Sequence, residues 1–384
     1  MAFEFLTPVG SDVSDHCADL RDGQIGQQLD FFVGGELELS SYDIAIVGCR
    51  ENRRSQDLDF SGTQVELVKN VFYDLYAGDW NFQIIDLGCI NPGNEIEDTY
   101  YAIRTLSEAC LKHNTILVVL GGGQDLNYPI YRSFDSTGAM VNFVNLDSKF
   151  DLGDIDAPLD AGNFVGKMVS EQPYNLFNYS NIAFQTYYNS QEEIDLLESL
   201  YFDAMRLGAL DDGSTESEPV LRDADVVSVD MKVVEGGYLA FAKAFPNGLN
   251  GKQICSLMRY AGISDKSKIL SISELPVELN KQSTHLIAQM MWYYIEGVSH
   301  RMGEQPPNLE NGFLKYTVPN EREELVFYKS QLSKRWWMEL PFFTGHNNKL
   351  RQFTLLACDE KDYHKALENE LPERWIKARM KNEI

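Results

Sequence analysis

Short apolar segments that alternate with helical segments constrain the fold of this chain more than any other feature. Each apolar segment is brief and nearly continuous, which is typical of a strand buried on both faces. The segments lie at residues 42–49, 82–87, 115–120, 141–146, 181–185, 225–229 and 268–272.

The segments between these predicted strands have the apolar spacing of amphipathic helices. They lie at residues 63–76, 98–113, 191–200, 251–261 and 283–302. Strands that alternate with helices require parallel pairing and right-handed crossovers. The sequence therefore predicts an α/β fold, a three-layer αβα doubly wound parallel sheet.

The pattern changes from about Gln305, and Pro306–Pro307 are predicted to join the following segment to the first. Apolar and aromatic segments with strand spacing follow one another, and the last is followed by a helix. The predicted strands are residues 313–318, 324–329, 336–341 and 350–356, and the helix begins at Asp362. We therefore predict two domains, residues 1–304 and a small C-terminal α+β extension, residues 305–384.

Composition excludes several classes of function. The formal net charge of −25 repels nucleic acid and anionic membrane surfaces. No apolar run approaches the roughly 20 residues of a membrane helix, and the amino terminus has no secretory pattern. The six cysteines are scattered without a CxxC pair, which favours reduced, buried thiols. We expect a cytoplasmic protein without membrane insertion.

Polar residues follow three of the predicted strands. Gly121–Gln124 follow the strand at 115–120, Asp147–Asp151 follow the strand at 141–146, and Asp230–Lys232 follow the strand at 225–229. In doubly wound sheets the functional site lies beyond the carboxyl ends of the strands. The three segments are therefore expected to meet in one pocket. The glycine run lacks the spacing of a phosphate-binding loop.

Seven ordered segments resemble the ureohydrolase family (arginase, agmatinase and formimidoylglutamase), and formimidoylglutamase is the most similar. The resemblance covers roughly residues 40–300. Its segments are Val119–Leu126 (VLGGGQDL), Leu146–Leu152 (LDSKFDL), Asp160–Gly166 (DAGNFVG), Val227–Lys232 (VSVDMK), Ala244–Leu249 (AFPNGL), Arg259–Gly262 (RYAG) and Ser271–Glu274 (SISE).

The resemblance implies a degenerate manganese site. Family members hold two manganese ions, which activate a water for attack on an amidine or guanidine carbon. Gln124 and Lys149 stand at positions of ligand histidines, and Lys232 stands at the position of an aspartate. A protonated lysine cannot bind a metal ion. The positions are Gln124, Asp147, Lys149, Asp151, Asp230 and Lys232.

The replacements suggest roles that do not require metal. Without manganese the three aspartates repel one another, and Lys149 and Lys232 are expected either to neutralise them or to remain as solvated surface lysines. Gln124 is expected to fill the space of the histidine. By the same resemblance, Asn163 and Glu274 are candidate ligand-binding residues, and Val165 replaces the proton-carrying histidine.

The leading hypothesis is a non-catalytic pseudoenzyme that has no manganese cofactor. It would bind a protein partner through the C-terminal extension, or a cationic small ligand. The alternative is an active formimidoylglutamase-type hydrolase of linear amidine C–N bonds, with one metal ion on Asp147, Asp151 and Asp230 or a lysine as base. A purely structural subunit is a third reading. The resemblance also implies a homo-oligomer.

Overall fold

The computed structural model describes residues 3–210, 215–304, 312–320, 324–340 and 355–383. Its strands are β1 (Leu6–Thr7), β2 (Leu29–Phe31), β3 (Ile44–Cys49), β4 (Ile84–Ile90), β5 (Ile116–Leu120), β6 (Val141–Leu146), β7 (Leu176–Phe184), β8 (Asp203–Arg206), β9 (Val226–Asp230), β10 (Ile269–Ser273), β11 (Phe313–Pro319), β12 (Glu324–Ser330), β13 (Trp336–Glu339) and β14 (Leu355–Cys358).

The α-helices lie between and after these strands. They are α1 (Ser11–Ala18), α2 (Val65–Asp74), α3 (Ile96–His113), α4 (Asn127–Arg132), α5 (Phe164–Ser170), α6 (Gln191–Ser199), α7 (Glu218–Arg222), α8 (Gly236–Leu239), α9 (Gly251–Ile263), α10 (Lys281–Ser299), α11 (Glu360–Leu367) and α12 (Glu373–Glu383). In the part of the chain that the structure describes, no helix is long and apolar enough to cross a membrane.

The large sheet has the order β1-β4-β3-β5-β10-β9-β6-β7-β8, with β2 also paired to β4. Pairing is parallel except at the edge, where β1 runs antiparallel to β4. Each of the seven strands predicted from the apolar segments is present. The predicted three-layer αβα sheet is confirmed, with β1 as an antiparallel addition at its edge.

Alternation along β3 shows why its sequence is continuously apolar. Ile44 and Ile46 belong to one hydrophobic core, whereas Ala45 and Val47 belong to a second. Successive side chains of a strand point to opposite faces, so the two cores lie on the two faces of the sheet. Helices α2, α9 and α10 contribute to the first core, and α3 and α5 contribute to the second.

A second, antiparallel sheet forms the C-terminal part, in the order β11-β12-β13-β14. It has its own core around Phe327, Trp336 and Trp375, which confirms a small α+β extension. The predicted strand 350–356 falls partly outside the described residues, where β14 begins at Leu355. Residues 305–311, including the predicted Pro-Pro joint, also lie outside them. The exact domain boundary stays a prediction.

The C-terminal extension contacts the end of helix α7 in the large domain. Arg222 Nη2 donates a hydrogen bond of 2.7 Å to the Cys358 carbonyl oxygen, and its guanidinium lies 4.5 Å from the ring centre of Trp337. The Ala357 N–H donates to Asp223 Oδ2 at 2.8 Å. The contacts fix β14 against α7.

Candidate functional site

Four neighbouring strands deliver the polar residues to one place. The sheet order places β5, β10, β9 and β6 side by side. Gln124 follows β5, Glu274 follows β10, Asp230 ends β9 and Asp147 follows β6. Because parallel strands end at the same edge, these side chains converge, and the hydrogen bonds described below join them. The predicted meeting of the strand ends is observed.

The glycine turn after β5 directs Gln124 into this cluster. Gly121 and Gly122 have φ angles of +88° and +82°, a region that glycine adopts without strain. A Cβ atom on Gly122 would lie 2.3 Å from Leu126 Cδ1. The Glu274 N–H donates to the Gly122 carbonyl at 3.0 Å. The turn thus joins the ends of β5 and β10.

Gln124 acts as a hydrogen-bond donor to an aspartate. Its side-chain Nε2 donates to Asp147 Oδ2 at 2.8 Å and to Asn145 Oδ1 at 3.2 Å. Its backbone N–H donates to Glu274 Oε1 at 2.9 Å. Gln124 is buried, and its side chain satisfies a carboxylate; that it fills the space of a ligand histidine stays a prediction.

Asp147 receives donors on both carboxylate oxygens. Oδ1 accepts the Lys149 backbone N–H at 2.9 Å, and Oδ2 accepts Asn145 Nδ2 at 3.3 Å in addition to Gln124. Only 1% of its surface is exposed. A buried carboxylate is stable only when such donors compensate for lost water. The protein supplies this compensation from its own side chains.

Lys232 places an ammonium group between two further carboxylates. Its Nζ lies 3.1 Å from Asp230 Oδ2 and 3.6 Å from Glu274 Oε2. The Lys232 backbone N–H also donates to Asp230 Oδ1 at 2.7 Å. Lys232 is 9% exposed and Glu274 is 0% exposed. The side chain therefore forms an internal ion-pair cluster, one of the two roles expected for it.

Burial is the main cause of the raised pKa values of two aspartates in the cluster. Burial, followed by the negative charge of Asp147, raises the pKa of Asp151 well above its usual range. Burial also raises the pKa of Asp230 well above its usual range, against the opposing charge of Lys232. Asp151 is held in the left-handed region at φ +53°, and its Oδ2 has no hydrogen-bond partner among the described residues.

The contact between Glu274 and Lys232 affects the pKa of both groups. Burial raises the pKa of the Glu274 carboxyl, and Lys232, the Gln124 N–H and the Ser55 hydroxyl oppose the increase. Burial alone lowers the pKa of Lys232, but the charges of Asp230 and Glu274 outweigh it and raise that pKa above its ordinary value. Lys232 is therefore a cation throughout the physiological pH range.

Lys149 does not form an ion pair with the aspartates, which was one of the two roles considered for it. Its side chain is partly exposed. Among the described residues, no carboxylate oxygen lies within 4.0 Å of Lys149 Nζ, the distance limit for an ion pair. Its backbone holds the site instead: N–H donates to Asp147, and its carbonyl accepts Asn181 Nδ2 at 2.7 Å. Burying a second ammonium costs several kcal/mol, whereas an exposed one keeps its water.

Asn163 and Val165 lie on the loop and helix that follow Asp151. Asn163 Nδ2 donates to the carbonyls of Asp154 and Pro158, both at 3.0 Å, and Oδ1 accepts the Asp160 N–H at 2.9 Å. The side chain therefore organises its own loop; its predicted ligand contact stays a prediction. Val165 is fully buried in the core and cannot transfer a proton.

Two partners of the cluster were not predicted from the sequence. Asn145 bridges Gln124 and Asp147, and the Ser55 hydroxyl donates to Glu274 Oε1 at 3.0 Å. A signal existed for Asn145: it interrupts an apolar strand two residues before Asp147, on the same face of β6. No local signal exists for Ser55, because its partner is far away in sequence.

The donor set does not fit a manganese pair. A manganese ligand must offer the ion a free lone pair, as carboxylate, carbonyl, water and imidazole groups do, whereas Gln124 presents N–H groups to Asp147 and Lys232 presents an ammonium to Asp230. Among the described residues, no group of three or more His, Cys, Asp or Glu side chains is arranged to hold a metal ion. The side chains of Gln124 and Lys232 therefore both present hydrogen-bond donors to the carboxylates of the cluster.

The sheet order and the polar cluster at its carboxyl edge define a doubly wound α/β protein. The chain belongs to the arginase family, whose family model matches residues 54–296. This assignment covers the large sheet and stops before the C-terminal extension. A comparison with the curated proteins gives no match.

Solved structures of the family show the same fold. The formiminoglutamase of Trypanosoma cruzi with Mn²⁺ is 16% identical, with a TM-score of 0.63 over 73% of this chain and 100% of that one. The formimidoylglutamase of Bacillus subtilis subsp. subtilis str. 168 is 15% identical, with a TM-score of 0.60 over 76% and 99%. The proclavaminate amidino hydrolase of Streptomyces clavuligerus is 15% identical, with a TM-score of 0.57 over 68% and 93%.

Proposed function

We propose that this chain is a metal-independent, non-catalytic member of the arginase family that acts by binding. The position of Lys232 carries the proposal. Its Nζ lies 3.1 Å from Asp230 Oδ2 and 3.6 Å from Glu274 Oε2, and the resemblance to the family assigns positions 230 and 232 to metal ligands, which supports a tethered cation in place of mobile divalent ions. Unlike a metal ion, an ammonium group cannot coordinate and activate a water molecule.

The acid–base groups of the cluster also argue against hydrolysis. A general base needs a pKa near the working pH. The pKa of Lys232 is raised by its carboxylate neighbours, so the lysine does not lose its proton readily. Val165 at the position of the proton-carrying histidine is apolar. These observations disfavour the alternative of a formimidoylglutamase-type hydrolase with lysine as base.

A substrate panel tests the absence of catalysis. We expect no turnover of formimidoylglutamate, agmatine or arginine by the full chain with added Mn²⁺, while the Bacillus subtilis formimidoylglutamase, assayed in parallel, serves as the positive control for its own substrate. Turnover that is abolished by Asp147→Ala would contradict the proposal, because Asp147 would then be required for catalysis.

A protein partner fits the binding role better than a small cation in the site. Asp147 and Glu274 already accept internal donors and are almost completely buried, so a cationic ligand would have to displace Lys232. The extension lies beyond the region matched by the family model and adds a separate folded surface. We therefore propose that a protein partner binds the extension, in the cytoplasm, where the six buried thiols stay reduced.

Cross-linking of the full chain in its own cells tests the partner proposal. Exposed lysines of the extension include Lys315, Lys334 and Lys365. We expect one recurrent protein to cross-link at these positions in preference to lysines of the large domain. Cross-links confined to the large domain would contradict the assignment of the extension as the partner surface.

A further inference from the structure

An open cavity of about 530 Å³ lies beyond the carboxyl ends of strands β7 and β8. The two strands pair in parallel, with Phe184 beside Arg206, so the segments that follow them leave the same edge of the sheet, where ligands bind in doubly wound folds. Residues 184–187, residues 206–209 and Asn247 line the cavity. Its volume is within the range of small-molecule sites. None of these residues belongs to the cluster at the carboxyl ends of β5, β10, β9 and β6.

Arg206 gives this cavity its charge. It is the one charged side chain among the described residues of the lining, and it is exposed. Within the described part of the chain, Arg206 forms no ion pair with a carboxylate, although the chain as a whole has a formal net charge of −25. The guanidinium group is therefore open to a ligand, and the described lining, with a net charge of +1, favours anions over cations.

The chemistry of a single guanidinium selects the kind of anion. Its planar fork donates two parallel N–H groups to a carboxylate, and such bidentate pairs are among the strong hydrogen bonds of proteins. One cation neutralises one negative charge. A phosphate dianion would require a second cation, and the described residues of the lining contain none. The charge balance therefore favours a monocarboxylate.

Tyr187 supplies an aromatic wall that is exposed and yet held in place. The side chain is 63% exposed. Its hydroxyl donates to Gln185 Oε1 and accepts a hydrogen bond of 3.4 Å from Asn247 Nδ2, and its ring centre lies 4.7 Å from that of Tyr188. A ring fixed in this way is preorganised, so little conformational entropy is lost when a ligand packs against it. Aromatic pairs stabilise a contact beyond the area that they bury.

Small and apolar residues complete the lining on the β8 side. Leu207 and Ala209 contribute apolar groups. Gly208 lies between them, and a Cβ atom built on it would have no neighbouring atom within 4 Å among the described residues. Apolar ligand surface that contacts such groups is removed from water, which is favourable. The cavity therefore combines one accessible cation, an aromatic wall and an apolar rim.

We propose that this cavity binds a small aromatic monocarboxylate. The carboxylate accepts N–H groups of Arg206, the aromatic ring of the ligand packs against Tyr187, and its remaining apolar surface contacts Leu207 and Ala209. This site shares no residue with the degenerate manganese site, and it is separate from the proposed partner surface on the extension.

A ligand-observed NMR titration of the full chain tests the proposal, with phenylacetate as the probe. Benzylammonium has a similar shape and the opposite charge, and acetate lacks the ring. We expect phenylacetate to bind saturably and the other two compounds not to bind in the same concentration range. Arg206→Met removes the charge and weakens phenylacetate binding by about tenfold, the effect of one hydrogen bond between charged groups. Arg21→Met, which changes an exposed arginine beyond the end of helix α1, leaves the affinity unchanged.

Two further variants separate the contributions of charge, fork and ring. Arg206→Lys keeps the charge and loses the bidentate fork, so its affinity should lie between those of the native chain and Arg206→Met. Tyr187→Leu removes the aromatic wall and should weaken binding by about threefold, with circular dichroism confirming that each variant is folded. Absence of saturable phenylacetate binding to the native chain would overturn the proposal. Equal binding of benzylammonium, or equal phenylacetate affinity in the native chain and Arg206→Met, would overturn it as well.

Discussion

Replacing Lys232 by methionine removes the internal cation while keeping a side chain of similar length. Asp230 and Glu274 then remain buried without the ammonium that lies 3.1 and 3.6 Å from their oxygens. At an effective dielectric of roughly 20, each contact corresponds to about 5 kcal/mol of Coulomb energy. Desolvation of the ions offsets much of this gain.

The net loss is expected to be large because the partners stay buried. Removing one member of a buried ion pair typically destabilises a protein by about 3–5 kcal/mol. That is a substantial part of the roughly 5–15 kcal/mol that separates folded from unfolded domains. Lys149→Met is the matched control: its ammonium is outside the cluster, and the change is expected to cost within about 0.5 kcal/mol.

The pH dependence of the loss gives a second signature. The pKa values of Asp230 and Glu274 are raised in the folded protein, and removal of Lys232 raises them further. A carboxyl with a raised folded pKa destabilises the folded state as pH rises from its unfolded pKa through its folded pKa. The native contribution of Lys232, whose pKa is also raised, is constant below its ordinary pKa of 10.5. The loss on Lys232→Met should therefore be larger at pH 8 than at pH 5.

Urea unfolding of the native chain, Lys232→Met and Lys149→Met at the two pH values measures these differences. The reasoning is refuted if the two substitutions cost the same free energy of unfolding. A loss for Lys232→Met that does not change with pH would also refute it, because the carboxylates would then not carry the penalty.

Three further outcomes follow from the structure. Gln124→Leu should lower the free energy of unfolding by about 1–3 kcal/mol, because the buried carboxylate of Asp147 loses its 2.8 Å donor. Substitution of the exposed Gln56 by leucine is the control and should have little effect. Equal losses for the two variants in urea titrations would contradict the role of Gln124. A thiol reagent should label none of the six buried cysteines before unfolding, because burial raises the pKa of thiols such as Cys49 to about 12. Labelling of the folded chain would contradict this prediction, because it would show that the thiols are accessible. Arg222→Met should accelerate proteolysis within the extension, because the hydrogen bond from Arg222 to the Cys358 carbonyl is lost. Substitution of the exposed Arg206 by methionine is the control and should not change the rate. Equal rates of proteolysis for the two variants would mean that Arg222 does not hold the extension in place.

The sequence predicted the central strands because burial on both faces leaves a continuous apolar signal. Short edge elements gave no such signal: β1 has two residues, and β8 is half exposed. Helix α12 was also missed, because its residues are mostly charged and its packing face depends on the extension's core. Tertiary pairing, and not local periodicity, determines these elements.

Motif order predicted the convergence of Gln124, Asp147, Asp230 and Glu274, because strand order and strand ends determine it. The direction of a lysine side chain is not encoded in the same way. Lys232 enters the cluster and Lys149 stays partly exposed, although both follow buried strands. The balance between desolvation and ion pairing decides each case, and it depends on neighbours from other strands.

The metal content of the purified chain tests most directly whether the Lys232 ammonium group replaces the manganese ions of the family. The native chain, purified with Mn²⁺ and dialysed, should contain no stoichiometric manganese by inductively coupled plasma mass spectrometry. The triple variant Gln124→His/Lys149→His/Lys232→Asp, which restores the family's ligand types, should retain up to about two ions per chain. Roughly two ions per native chain, as in a dinuclear site, would contradict the account.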